Sequence, residues 1–182
     1  EDHYGSIWIG TNNGLFKLVS ESENPTYQLY RYLPDENDPS AIIGEFISAI
    51  FEDSDSVLWI GTLGGALNVS KNRQGEHLGM KFEHYIAQTE DLSAIRSNII
   101  YDVIEDRENR IWIGTGTAGI ALFDKQNKSF THFFKQVGVQ EDAVFDIIEN
   151  ENELWLSTKN GLIRFSHRAK DDFRIEEFSV GD

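Results

Sequence analysis

Acidic side chains dominate the groups that could do chemistry: the chain carries 31 Asp and Glu against 16 Lys and Arg. Two of them, Asp102 and Asp146, occupy matching positions inside apolar strand-like runs, where Ala49 stands in a third such run. Opposed carboxylates at a set separation, one with a raised pKa, would do acid–base work on a glycosidic bond. Most of the other acids fall in repeated polar turns, which argues against an assembled catalytic pair. For Asp102 and Asp146 the favoured reading is solvation or bonding to neighbouring backbone, because an unpaired buried carboxylate is costly. A cation or a ligand hydroxyl is the functional alternative.

The remaining reactive types point away from catalysis. There are no cysteines, so disulfides, thiolate metal sites and cysteine nucleophiles are excluded together. His3, His77, His84, His132 and His167 show no metal-ligand spacing, and His84 and His132 fall in matching segments, FEHY and FTHF. Asp53-Ser54-Asp55-Ser56 opens like a calcium loop but lacks the later glycine and glutamate. Neither a nucleophile elbow nor a Walker loop is present, and neither a cofactor nor a metal is expected. Trp8, Trp59, Trp112 and Trp155 could stack on sugar rings, but their repeated mid-strand position favours core packing.

Those tryptophans reveal the elements that hold everything else. Each lies in a near-copy of one segment (IWIGTNNGLFKL, LWIGTLGGALNV, IWIGTGTAGIALFD, LWLSTKNGLIRF), recurring at intervals of 43 to 53 residues. About 40 to 50 residues is the repeat of a four-stranded propeller blade. The second unit resolves into strands a to d, predicted at Phe46 to Glu52, Val57 to Thr62, Ala66 to Ser70 and Lys81 to Ile86. Strand b is apolar at consecutive positions, as a strand buried on both faces requires. Glycine-bearing turns join b to c, and polar Glu-Asp runs join a to b. The expected fold is therefore all-β: about four four-stranded antiparallel blades forming part of a larger ring. Approximate blades are 1–32 (strands b to d only), 42–87, 96–135 and 141–180, with the last strand d at Arg174 to Ser179. A propeller removes its sheet edges only by closing, so further blades or a second copy of the chain are expected partners.

A net charge of −15 disfavours nucleic acid and anionic membranes as partners. No apolar run reaches the roughly 18 residues of a membrane span, and Glu1-Asp2-His3-Tyr4 lacks the pattern of a signal peptide. The pattern opens in mid-repeat, as if cut from something longer, and any membrane contact is expected only through a parent protein.

The recurrent apolar strand, Glu-Asp turn, Leu/Ile-Trp-Ile-Gly-Thr and Gly-Leu plus aromatic resembles the regulator-propeller repeat of bacterial two-component sensors. Departures are Ser157 where the other copies have Gly10, Gly61 and Gly114, an extra turn residue in the third copy, and Ala66 in place of leucine. The resemblance implies a seven-bladed propeller in the periplasmic ectodomain of an inner-membrane hybrid sensor histidine kinase. It also implies signalling in response to polysaccharide-derived oligosaccharides, with no enzymatic activity in this segment. Ligand contacts are expected on the face carrying the d-to-a and b-to-c loops, which vary most between copies. The candidates there are Asn12, Asn13, Glu45, Arg96, Asn98, Asp142, Lys159 and Asn160, with Asp102 and Asp146 lining the central channel. The alternatives are a protein-interaction propeller without a small ligand and, less favoured, a propeller-fold polysaccharide lyase or hydrolase.

Overall fold

A computed structural model describes residues 1–20, 26–71, 80–88, 90–133, 143–151, 153–169 and 172–179. These form one three-stranded and three four-stranded antiparallel sheets, each built from consecutive strands. Blade 1 comprises β1 (Ile7–Thr11), β2 (Gly14–Ser20) and β3 (Tyr27–Tyr32). Blade 2 comprises β4 (Ile47–Glu52), β5 (Leu58–Thr62), β6 (Leu67–Ser70) and β7 (Phe82–Tyr85). Blade 3 comprises β8 (Ile100–Glu105), β9 (Ile111–Thr115), β10 (Ile120–Asp124) and β11 (Ser129–His132). Blade 4 comprises β12 (Val144–Asn150), β13 (Glu153–Thr158), β14 (Gly161–Ala169) and β15 (Asp172–Ser179). The all-β blade architecture is as the repeats require. In blade 2 every strand is one residue shorter than predicted at one or both ends, and β15 starts two residues before Arg174, extended by its pairing with the long β14.

Strands a (β4, β8 and β12) pack against one another at the inner edge, and β1 continues the row. The b strands β5 and β9 are buried at every position, being covered on both faces. Three apolar clusters fill the junctions between successive blades. Leu15, Ile47 and Phe82 belong to the first, Trp59, Ile100 and Phe130 to the second, and Trp112, Ile147 and Phe165 to the third. Core packing, expected of all four tryptophans, holds for Trp59 and Trp112, at 2% and 0% exposed, while Trp8 is partly buried against the first cluster and Trp155 is partly buried outside all three.

The Glu-Asp dipeptide divides its labour. The aspartate closes its own turn: Asp53 Oδ1 accepts from the amides of Asp55 and Val57, and Oδ2 from the indole Nε1 of Trp59 at 3.0 Å. Asp2 does the same for Tyr4, Ser6 and Trp8, and Asp106 for Glu108, Arg110 and Trp112. The glutamate instead reaches the preceding blade. Glu52 accepts from the His3 amide (2.8 Å), Glu105 from the Ser54 amide (2.6 Å) and Glu149 from the Arg107 amide (3.2 Å). Side-chain donors reinforce two of these latches: the His3 ring on Glu52 and the Ser54 hydroxyl on Glu105.

A second repeated device ties the d-to-a connection down. Asp38 and Asp91 accept from the amides and hydroxyls of Ser40 and Ser93. Those serines' carbonyls then accept from the amides of Phe82 and Phe130 in strands d. His84 and His132 finish the attachment, each donating Nε2–H to a carbonyl, that of Ala41 and of Ala94. The matching histidines are thus blade structure. Burial holds both imidazoles below the usual histidine range.

Candidate binding face

Each strand a carries an extra residue near its start. Ile47 pairs with Thr62 and Ala49 with Gly61, Ile100 with Thr115 and Asp102 with Gly114, Val144 with Thr158 and Asp146 with Ser157. Ser48, Tyr101 and Phe145 are therefore left over as β-bulges, which re-aim side chains at a sheet edge. The Ser48 hydroxyl donates to the Ile100 carbonyl of the next blade. Tyr101 and Phe145 meet edge to face across the blade 3–blade 4 junction, centroids 5.0 Å apart, and Phe145 is 42% exposed. Sequence reasoning missed this trio. The only signal available was that each precedes the Ala49/Asp102/Asp146 position.

Beside the aromatic pair lie the two inner carboxylates. Asp102 is half-buried; its Oδ1 accepts from the Val103 amide and its Oδ2 from the Ile147 amide of blade 4, both at 2.9 Å. Asp146 is exposed and close enough to share a hydrogen bond with Asp102. Burial, aided by the Asp146 charge and hydrogen bond, pushes the Asp102 pKa up to about 6, against the lowering effect of the two amides. The pair thus offers a proton-bearing or acceptor group for hydroxyls and amines. Backbone bonding, the favoured sequence reading for Asp102, is present, and Asp146 is open to solvent.

Two of the predicted loop residues, Glu45 and Asn98, are each tied to a b-to-c turn. The Glu45 carbonyl accepts from the amide of Gly14, which places Glu45 beside the exposed Asn12-Asn13 turn of blade 1. Asn98 sits likewise beside the b-to-c turn of blade 2, its carbonyl accepting from Gly64. Its carboxamide is committed to structure, with Oδ1 accepting from the Ala87 amide at 2.7 Å. Arg31 donates to the Asn13 carbonyl, stiffening that turn. Arg96 is partly buried, and Lys159 and Asn160 are exposed in the b-to-c turn of blade 4. Asp142 lies outside the described residues. Among the described candidates, Asp102 and Asp146 are brought into mutual contact through a side-chain hydrogen bond.

The opposite face holds a groove of about 440 Å³ between blades 2 and 3, lined in part by Trp59, Tyr85, Phe123, Lys125 and Lys128. Lys125 bridges Asp53 (3.3 Å), Asp55 (3.0 Å) and Glu105 (3.1 Å), and Lys128 pairs with Glu83 at 2.7 Å. Burial would lower the Lys125 pKa, but the hydrogen bonds it donates to Asp55 and Glu105 outweigh it and raise it. Lys125 and Lys128 are thereby already paired with carboxylates. Among the described residues no group of three or more His, Asp or Glu is arranged to hold a metal ion.

Blades, Glu latches and Trp-capping aspartates define the repeat, and a family description matches it. Residues 41–64 and 94–117 match the two-component regulator propeller. Those two segments carry the regulator-propeller repeat. A curated relative, histidine kinase P4 of Formosa agariphila, is 31% identical over 90 residues, half of this chain and 6% of that protein's length. Two solved structures share the fold, both described as extracellular domains of hybrid two component systems of B. thetaiotaomicron. The first has a TM-score of 0.78 at 20% identity, covering 99% of this chain and 24% of that one. The second has a TM-score of 0.61 at 18% identity, covering all of this chain and 31% of that one. The chain thus spans less than a third of either structure and a small fraction of the kinase.

Proposed function

We propose that this regulator-propeller segment is part of the extracytoplasmic sensor of a hybrid two-component histidine kinase, in the periplasm, and that it contributes to recognition of a polysaccharide-derived oligosaccharide. One observation carries the ligand reading: the Asp102–Asp146 pair and the Tyr101–Phe145 pair stand together at bulges of neighbouring inner strands. An aromatic edge beside carboxylate acceptors is the combination that grips a sugar ring by its apolar face and its hydroxyls. The loop residues Asn12, Asn13, Glu45, Arg96, Lys159 and Asn160 extend that chemistry around the same face. Signalling follows if the ligand bridges blades 3 and 4, since Asp102 already spans that junction.

The test is thermal shift and calorimetry of this chain against a panel of neutral, amino and acidic oligosaccharides, because a ligand selective for the native state raises its stability. A selective shift that Tyr101→Ala and Asp146→Asn abolish supports the reading. Binding that survives both changes removes the site from these residues, and silence across the panel sinks the ligand reading for this segment.

A further inference from the structure

Leu162 occupies on blade 4 the place of Leu15, Leu67 and Ile120 on blades 1 to 3: all four pair across strand b with Ser157, Gly10, Gly61 and Gly114 respectively. The first three are fully buried by the following blade, at 0% exposure, whereas Leu162 is 48% exposed. Ile148 (60%) and Phe178 (39%) share its face, and Phe178 stacks on Trp155 at 5.5 Å. Three times in this chain a face of that composition seats the inner strand of a neighbouring blade. The blade 4 face has the same apolar centre but breaks the junction rule in two independent ways.

The first break is steric. A Cβ on Gly10 would stand 2.7 Å from Ile47 Cγ2, one on Gly61 2.7 Å from Ile100 Cγ2, and one on Gly114 2.9 Å from the Val144 carbonyl oxygen. None of these glycines has positive φ, so close approach of the next strand is what demands them. Blade 4 fills that space with the Ser157 side chain. The second break is electrostatic. The incoming glutamate is held by the main-chain amides of His3, Ser54 and Arg107, but their counterpart in blade 4 is Glu151, whose carboxylate would face a like charge, on a shortened turn with φ 51°. Asn150 there pairs directly with Glu153, and the Trp-capping aspartate of blades 1 to 3 is replaced by Asn150.

We propose that this face docks a blade-type sheet chemically unlike those described above. Its inner strand opens on glycine or alanine where Ile47 and Ile100 stand, which removes the γ carbon nearest a Cβ at that position. It carries lysine, arginine or glutamine where Glu52, Glu105 and Glu149 stand. The inference is independent of the ligand reading.

The test fuses a copy of residues 91–133 through a flexible linker to the end of the full chain. Occupancy is read from thiol labelling of Leu162→Cys, a clean reporter because the chain has no cysteine. The unfused chain labels freely. A fused copy carrying Ile100→Ala and Glu105→Lys slows labelling by about tenfold or more. The unmodified copy leaves the rate unchanged, but protects a host carrying Ser157→Gly and Glu151→Arg. Equal protection of the native host by the unmodified copy overturns the proposal, as does protection by neither copy in either host. Concentration-dependent protection of the unfused chain also overturns it, since a second copy is then the occupant.

Discussion

Asp102 is the side chain whose protonation the fold changes most clearly toward neutrality. Its pKa rises from 3.8 in a free chain to about 6 in the folded one, so the native state holds more proton between those values. Stability therefore falls as pH rises from about 4 to 6, and the penalty is complete above that window. Asp102→Asn is expected to flatten this slope and to gain roughly 1 kcal/mol at pH 7, less than the full shift implies because the carboxyl keeps some solvent contact. Denaturant titrations of both proteins from pH 4 to 7 check it; parallel curves would mean that Asp102 is ionised throughout. Asp106 makes the opposite case. Its carboxylate is almost fully buried and holds an indole, two amides and the Arg110 guanidinium. Asp106→Ala is expected to lower unfolding free energy by about 3 kcal/mol, because several donors lose a charged acceptor at once.

At the scale of the element, the bond between blades is a close approach fastened by a glutamate. Gly61→Ala places a methyl against Ile100 and Ala49. It is expected to cost about 2 kcal/mol, relieved in good part by Ile100→Ala in the same chain. Equal destabilisation in single and double variants would show that the contact is not the cause. The strands themselves were legible because apolar runs and glycine turns recur four times, and any one copy's ambiguity is resolved by the others. The division of labour within Glu-Asp was not legible. Both residues read as polar turn formers, and only the third dimension sends one to its own tryptophan and the other to a neighbouring blade. The bulges were hidden for a similar reason: Ser48, Tyr101 and Phe145 share a backbone role and no chemistry. The repeated Asp-x-Ser-Ala-Ile of residues 38–42 and 91–95 was visible in the letters, but its pairing with strand d needed coordinates. The candidate site was half legible, since Asp102 and Asp146 stood out as intruders in apolar strands while nothing in the letters singled out their aromatic neighbours Tyr101 and Phe145.

For the molecule as a whole, charge sets the response to solution conditions. A formal charge of −15 spread over this small chain makes compaction work against self-repulsion. Raising salt from about 10 to 150 mM, which shortens the screening length from roughly 30 to 8 Å, is expected to raise Tm by a few degrees. A scanning calorimetry series in NaCl checks it. A falling Tm would mean that the Lys125 bridges and other ion pairs outweigh the net repulsion.

The glutamate fastenings all lie at the a-to-b turns, on the face away from the bulges and the variable loops. Each blade is consequently latched to its predecessor by a repeated glutamate at one rim, and by bonds that differ from junction to junction at the other. A molecule wedged between the inner strands on the loop side would make those glutamates a fulcrum, opening the junction at the loop rim while the turn rim stays clasped.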